Sequence, residues 1–495
     1  MKIRDFNFGD YSGMREYNRN PEFFMNSFIT PGLFSLNSLQ NGANNILVGR
    51  KGTGKSSCCL ALAHMKKAEG YLSTFYNFSD DLNRNDLKEA VQTQALDLKD
   101  VAGLTKLFDS ISSFYDFRDL WKRRVISQIG KRITDSGKKS TFTDFATSVH
   151  LAETSITSGV GKGLVIDKPK MTGKLAEMLN SLFPDRATMS LRDFNSIGLD
   201  LLKQCHSDVK HYFFFDELNL SHTKSDSSEY ETLLALVRDI IRAACELNDF
   251  FSMNNIDVHI ICSIRPEVRN EIISRDNELS KIIDSNFVSL SWPNHAKVEN
   301  PLIELMLKKM QFGGDFSEVP TTLIPEKVYN VVEQKDVLFP QYLLNLTWYR
   351  PRDVIRVLKC YQITNGNMAS LFEKGDDQLK FLKEYSRVSF QDTVAELEVK
   401  YSKEIIKELF LRIKKPAFRD KNELLAHLDV LSNRVPSLDE LIKDLFDTGV
   451  ILNYQSGNGG FSILASYRDD AELDPSLRII IHRGLRSHLN ISFNN

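Results

Sequence analysis

Short, wholly apolar runs alternate with longer amphipathic stretches over the first three hundred residues, and that rhythm predicts an α/β fold. Asn44–Val48 reads as a short buried strand bounded by Gly42 and Gly49, and the pattern from Lys55 to about Glu69 is helical. Tyr71–Phe78, His211–Phe215, Val258–Ile264 and Asn286–Ser291 read as further strands, and Glu229–Phe251 as a long helix. Strands that alternate with helices imply a parallel sheet covered on both faces. Residues from about 80 to 207 interrupt the alternation with several amphipathic helices. The middle of that stretch, 136–172, is rich in Gly, Ser, Thr and Lys and reads as exposed loop or an irregular insert. The first forty-odd residues are crowded with aromatics (Phe6, Phe8, Tyr11, Tyr17, Phe23, Phe24, Phe28) and are expected to pack on the first domain.

After Pro293 the pattern is mostly helical up to about Leu411. Ser437–Phe446 then forms a helix that stops at Gly449, a natural left-handed position. Val450–Tyr454, a Gly-rich turn over Ser456–Gly460, and Phe461–Tyr467 read as a hairpin. A helix followed by such a β-wing is the signature of a winged helix. The expected organisation is an N-terminal segment (1–44) packed on a core domain (45–295) that carries a helical insert (about 80–207). A helical domain (296–400) and a winged-helix domain (401–495) follow.

Composition narrows this only a little. A net charge of −2 rules out a global field that would draw the chain to nucleic acid or an anionic membrane. No apolar run is long enough to span a bilayer, and Met-Lys-Ile-Arg-Asp-Phe lacks an apolar signal core, so a cytoplasmic location and no membrane partner are expected. The six cysteines are scattered without metal-type spacing and read as reduced thiols.

Candidate chemistry begins at Gly49-Arg50-Lys51-Gly52-Thr53-Gly54-Lys55-Ser56, which fits G-x-x-x-x-G-K-[ST] at every fixed position. It follows a buried strand and opens a helix, as its mechanism demands. Gly49, Gly52 and Gly54 let the backbone curl so that N–H groups, with those of Thr53 and Ser57, meet phosphate oxygens. The new helix adds its positive N-terminus. Lys55 is expected against the β- and γ-phosphates of ATP and the Ser56 hydroxyl on Mg²⁺. Arg50 and Lys51 sit at variable positions and are expected to face solvent. A second feature is His211–Phe215, an apolar strand that ends on Asp216-Glu217. A buried strand that stops on a carboxylate needs something positive beyond its end. Asp216 is the expected second holder of Mg²⁺, and Glu217 the base for the attacking water. The plain alternative is that both acids cap the next helix.

With these two motifs in this order, the chain resembles the additional-strand P-loop ATPases, which include the AAA+, STAND and KAP-type proteins. That resemblance implies a P-loop NTPase sheet with a strand between the P-loop strand and the acidic strand, and places Tyr71–Phe78 at the sheet edge. It also implies a polar residue at the end of the strand that follows the acidic one, Val258–Ile264, where Ser263 matches by position and Arg265 by chemistry. A surface salt bridge is the plain reading for Arg265. Trp348-Tyr349-Arg350-Pro351-Arg352-Asp353 is similar to the lid segment of STAND and KAP-type ATPases, and Arg352 falls on the arginine that reaches the nucleotide. His482, in Ile480-Ile481-His482-Arg483-Gly484, is similar to the histidine that STAND proteins set near the β-phosphate, with a structural histidine as the plain alternative. Arg269 is a positional candidate for a donor to a neighbouring subunit.

The function this implies is an ATP-hydrolysing switch or regulator, of a kind found in bacterial phage defence. It would act on a protein partner or effector on another chain, and the reading allows a homo-oligomer. The alternative is a DNA-associated AAA+-like ATPase or loader. Residues 401–495 hold 13 basic and 13 acidic residues, a poor balance for a DNA-reading wing. Residues 116–170 hold 11 basic against 6 acidic, with Lys122-Arg123-Arg124, Lys131-Arg132 and Lys138-Lys139 as the candidate nucleic-acid contact or, more plainly, a solvated helix face.

Overall fold

The structure is a computed structural model. It describes residues 2–78 (apart from 33, 41 and 43), 116–151, 164–166, 177, 181, 188–218, 228–398 (apart from 374 and 375), 400–457, 460–467 and 471–491. Contacts divide the chain into two compact units. One holds residues 36–49 and 62–289, the other residues 1–35, 50–61 and 290–495.

The strands of the first unit are β1 (Ile46–Val48), β2 (Leu72–Asn77), β3 (Val149–Leu151), β4 (Leu164–Ile166), β5 (Thr188–Met189), β6 (Lys210–Leu218), β7 (Asp257–Ile264) and β8 (Phe287–Ser289). Five of them form one parallel sheet in the order β2-β6-β7-β1-β8. One strand, β7, separates β1 from β6, and β2 runs at the edge beside β6, an edge position that the resemblance implied for Tyr71–Phe78. The centre of β6, Tyr212-Phe213-Phe214-Phe215, is almost wholly out of solvent, as a strand covered on both faces must be. Its rings stack across the strand pair, Phe75 on Phe214 at 4.6 Å and Tyr76 on Phe215 at 4.9 Å between centroids. The helix Ser228–Met253 sends Leu236, Ile240, Leu247 and Phe251 into the same core at helical spacing.

The described part of the insert joins that core rather than standing apart. Trp121 and Ile126 of helix Arg118–Asp135, Phe145 of helix Thr141–Ser148 and Phe194 of helix Leu191–Leu202 all lie within it. The Trp121 indole N–H donates to the Leu236 carbonyl at 3.2 Å. β3, β4 and β5 form a small antiparallel sheet, where the sequence pointed to loop or irregular chain between 136 and 172. Two of these strands are three residues long, too short for an alternation to stand out from a background of Gly, Ser and Thr. The helices expected between 80 and 115 lie outside the described residues, as do Lys162, Lys168 and Lys170 of the basic count.

The second unit corrects the placement of the N-terminal segment. Ile3, Phe6 and Phe8 are buried with Leu302, Met306, Tyr361 and Phe381. The Arg4 and Asn7 N–H groups donate to the carbonyls of Gly366 (2.9 Å) and Gly313 (3.0 Å). Residues 1–35 therefore complete the core of the C-terminal half, not that of the sheet. Aromatic crowding announces burial but does not say against which partner. Helices Pro301–Gly313, Phe339–Leu346, Pro351–Asn365 and Gln378–Leu397 fulfil the helical expectation. The hairpin β9 (Lys327–Asn330) and β10 (Lys335–Leu338) does not. Its turn carries Gln334 at a φ of +52°, without the Gly or Asn that normally advertises such a bend.

Beyond residue 400, helices Lys403–Arg412, Lys421–Leu428 and Leu438–Asp447 pack around a four-stranded antiparallel sheet. Its strands are β11 (Ala417–Phe418), β12 (Ile451–Gly457), β13 (Gly460–Leu464) and β14 (Arg478–Ile481), in the order β11-β14-β12-β13. The predicted helix, glycine stop and hairpin are all present. Gly449 has a φ of +73°, and a Cβ there would lie 2.6 Å from the Trp348 indole nitrogen.

Lys309 and Glu16 form an ion pair in the interior of this unit. Their side chains are 4% and 6% exposed, the Asp10 N–H donates to the second Glu16 oxygen at 2.7 Å, and the ammonium sits 4.7 Å over the Phe23 ring. Burial pushes the Lys309 pKa down against the pull of Glu16. Lys309→Met leaves the Glu16 carboxylate buried and unpaired, and is expected to cost about 3–5 kcal/mol. The change is read as a fall in the urea midpoint of the full chain, and a midpoint within error of the parent refutes it.

Candidate functional site

β1 ends at Val48, and the Gly49 N–H donates to the Ile264 carbonyl of β7 at 3.1 Å. The chain then enters the loop that opens helix Lys55–Ala68. Gly52 and Gly54 have φ angles of +84° and +99°, which L-residues other than glycine rarely adopt. The Thr53 hydroxyl donates to the Arg50 carbonyl at 2.8 Å and the Lys55 ammonium to the same oxygen at 3.2 Å, so the loop is tied to itself. From outside, the Trp292 indole N–H donates to the Thr53 carbonyl at 2.9 Å. Among the described residues, the N–H groups of Gly52, Gly54 and Ser56 have no hydrogen-bond partner. A helix start always leaves such donors, and here two left-handed glycines precede it. Ser57, also expected at this site, faces Gly13, whose missing Cβ makes room for the serine hydroxyl.

The lid segment meets this loop within the same unit. The Arg352 N–H points at the Gly52 carbonyl at 3.4 Å, and a Cβ on Gly52 would lie 3.2 Å from the Arg352 Cβ. Asp353, wholly buried, sorts the neighbouring charges. It takes Arg350 Nε at 2.7 Å, Arg356 at 3.2 Å and the Trp348 N–H at 3.2 Å. Arg350 also donates to the Lys51 carbonyl at 3.1 Å. Arg352 has no such satisfaction. Among the described residues its guanidinium makes no hydrogen bond or ion pair. Burial pushes its pKa down, and Arg350 and Arg356 add to that against the pull of Asp392. A desolvated cation beside two others calls for an anion.

Arg50 and Lys51 correct the expectation that they face solvent. Arg50 donates to the Asp447 carbonyl at 2.7 Å and the Ser466 carbonyl at 2.8 Å, both in the C-terminal domain. Lys51 pairs with Asp392 at 3.0 Å on helix Gln378–Leu397, and Asp392 also takes Arg356 at 2.8 Å. The motif fixes neither position, so no sequence signal foretold these bonds. The same holds for Trp292, Gly13 and Asp392.

In the sheet unit, Asp216 and Ser263 lie near the C-terminal ends of adjacent strands. The Ser263 hydroxyl donates to Asp216 Oδ1, which also accepts the Glu217 N–H at 2.8 Å. Both are buried, and among the described residues Asp216 Oδ2 has no hydrogen-bond partner. Glu217 takes a φ of +56° at a register shift between Phe215 and Leu218. The bulge leaves Glu217 exposed between two buried neighbours. A left-handed non-glycine costs about 1–2 kcal/mol, and such strain gathers at working sites. Arg265 lies 3.6 Å from the exposed Glu267, and Arg269 pairs with Asp284 at 2.5 Å over the Phe287 ring. Sequence reasoning had Arg265 at phosphate or in a salt bridge, and the second is the contact present.

His482 is buried in the C-terminal domain, stacked on Trp348 at 3.9 Å, with its Nδ1 accepting the Gly484 N–H at 3.0 Å. That is the geometry of a packing histidine. Of the basic run in the insert, Lys122 pairs with Glu246 and Arg124 stacks on Tyr76 at 4.8 Å, whereas Lys131, Arg132, Lys138 and Lys139 are exposed. Its first cluster is therefore engaged within the chain.

Burial raises the Asp392 pKa, but Lys51 and Arg356 outweigh it and hold the carboxyl well below the ordinary range. A depressed carboxylate stabilises the fold fully above its unfolded pKa near 4, and loses that contribution as pH falls towards the folded value. Asp392→Asn is thus expected to lower stability by about 1–3 kcal/mol at neutral pH. The gap to the parent should narrow below pH ~4 in thermal melts across a pH series. A gap that stays constant with pH rules out the ionic origin.

Comparison of the chain with protein-family models and with curated proteins found no match to either.

Proposed function

We propose that this protein is an ATPase of the additional-strand P-loop type, in which nucleotide state switches the attachment of the lid and C-terminal domain to the phosphate loop. The observation that carries the reading is Arg352, a half-buried guanidinium without an anionic partner among the described residues, laid on Gly52 of a loop whose own N–H groups await acceptors. Charge-assisted bonds from Arg352, Lys55 and the loop amides suit a triphosphate. The strand order β2-β6-β7-β1-β8 supports the same reading, because it brings the ends of β1, β7 and β6 side by side, with Gly49, Ser263 and Asp216 upon them.

Ser56 and Asp216 would hold Mg²⁺, which supplies charge neutralisation on the phosphates when bound. Ser263 orients Asp216 by fixing one carboxylate oxygen, which leaves the other for the metal or its water shell. Glu217, turned outward by the bulge, is the group to accept the proton of the attacking water. Loss of the γ-phosphate removes the anion that Arg352 needs. The loop then keeps its bonds to the lid through Arg350 and Lys51 and to the C-terminal domain through Arg50, none of which occupies the N–H groups of Gly52, Gly54 or Ser56. The output is read as a protein contact rather than DNA, because the Lys122 and Arg124 charges are spent inside the chain and residues 401–495 are neutral.

Purified full-length protein is expected to bind ATP with Mg²⁺ and hydrolyse it. Glu217→Gln keeps binding and loses about 10²–10⁴-fold in turnover. Lys55→Ala loses binding. Arg352→Gln weakens ATP by about tenfold or more while sparing ADP. Calorimetry and a phosphate-release assay provide the readouts. No ATP binding by the parent protein overturns the proposal, and equal losses for ATP and ADP in Arg352→Gln overturn the role given to that residue.

A second expectation concerns the switch. Arg50→Ala and Lys51→Ala each remove attachments of the loop without touching the phosphate amides. They are expected to speed release of a fluorescent ADP analogue by about tenfold, in line with one lost charge-assisted bond. Unchanged release in both variants removes the coupling role.

A further inference from the structure

A cavity of about 150 Å³ lies inside the second unit, away from the phosphate loop in sequence. Four elements wall it: the β9–β10 hairpin, helix Phe339–Leu346, helix Gln378–Leu397 and the last short helix, Arg483–Arg486. Val332, Val337 and Leu382 supply apolar surface, and the polar lining is mostly donor. Arg486 spends Nε on the Ile481 carbonyl at 2.9 Å, and its two terminal nitrogens have no hydrogen-bond partner among the described residues. The Asn330 side-chain oxygen accepts the N–H groups of Val332 (3.0 Å) and Glu333 (3.3 Å), which fixes its amide and leaves the NH₂ without a hydrogen-bond partner among the described residues. Asn345 accepts the Tyr349 hydroxyl at 3.3 Å, and its NH₂ likewise has no hydrogen-bond partner among the described residues. The acidic residue in the lining, Glu333, is already shared by Arg483 at 2.6 Å and Lys335 at 3.0 Å.

We propose that this cavity is a binding site for a small oxyanion, a phosphate or a carboxylate, with Arg486 as its principal ligand and the amides of Asn330 and Asn345 as further donors. Size agrees with charge, since a cavity of this volume takes a ligand of about six heavy atoms. Arginine presents two parallel N–H bonds to two oxygens of such a group, a geometry that suits phosphate and carboxylate alike. Burial and the neighbouring Arg483 push the Arg486 pKa down to about 10, against a smaller opposing pull from Glu333, which is the environment of a cation short of a counter-charge. An anion held here would tie the lid hairpin and both lid helices to the end of the C-terminal domain. It would therefore tune a contact that the nucleotide does not reach.

The test is isothermal calorimetry on the full chain carrying Lys55→Ala, so that phosphate cannot be scored at the nucleotide loop. Inorganic phosphate and sodium acetate are titrated separately. Saturable binding of either supports the site and names its preferred oxyanion. Arg486→Gln is expected to weaken that binding by about tenfold or more. Glu333→Gln removes the acid from the lining and is expected to tighten it, an effect that misfolding cannot produce. No saturable heat with either anion overturns the proposal, as does unchanged affinity in Arg486→Gln or unchanged or weaker affinity in Glu333→Gln.

Discussion

Asp353 is a carboxylate with no exposure to solvent, and the charge arrangement of the lid follows from it. A buried carboxylate must be matched by positive donors, and it takes Arg350 and Arg356 as well as a main-chain N–H. Those bonds fix the start of helix Pro351–Asn365 and set its first turn against Gly52. They also consume the acid nearest to hand. Arg352, between its two satisfied neighbours in sequence, is left over as a charge held close to the loop backbone. The functional reading rests on that imbalance more than on the loop motif, because a loop of this shape binds phosphate only if the surrounding charge favours an anion.

How far the sequence could be read depended on whether a feature is local. The glycines at 52 and 54, the strand before them and the helix after them are dictated by neighbouring residues, and they appear where expected. The same is true of β6 and of the Gly449 stop, where one run of apolar residues or one left-handed position suffices. Sheet order was legible only through the family likeness, since nothing in β7 alone says that it lies between β1 and β6. Tertiary partners were not legible. Phe6 and Phe8 announce burial but not the lid as their destination, and Arg50 and Lys51 look like any exposed charges until Ser466 and Asp392 arrive from 416 and 341 residues away. The β9–β10 hairpin was hidden because its strands are short and its turn rests on Gln334.

Strain and desolvation divide the labour of the site. Glu217 is held in an unfavourable backbone region by the register shift of β6, and the same shift turns its carboxylate out while Asp216 stays in. A single bulge thus gives two adjacent acids opposite environments, one buried and one exposed, which is what the proposed roles of metal holder and base require. Ser263 needs no strain, because it sits on the neighbouring strand with its hydroxyl already committed to Asp216.

The two variable residues of the loop carry the argument about switching furthest. A ligand shifts a conformational equilibrium only by its differential interaction with the two states. Arg50 and Lys51 sit inside the phosphate loop yet spend their charges on the C-terminal domain and on the lid. On the proposed reading, any change of loop shape between triphosphate and diphosphate would act directly on two sets of charge-assisted bonds, each worth about 1.5–3 kcal/mol. That sum matches the few kcal/mol separating two populated states, so a loop that binds nucleotide as proposed would need no intermediary to report its occupancy. The alternative, a signal carried through the sheet, would need a second arrangement of β6 and β7. The buried packing of the β6 aromatic rings and the β7 aliphatic side chains makes such a rearrangement the costlier route.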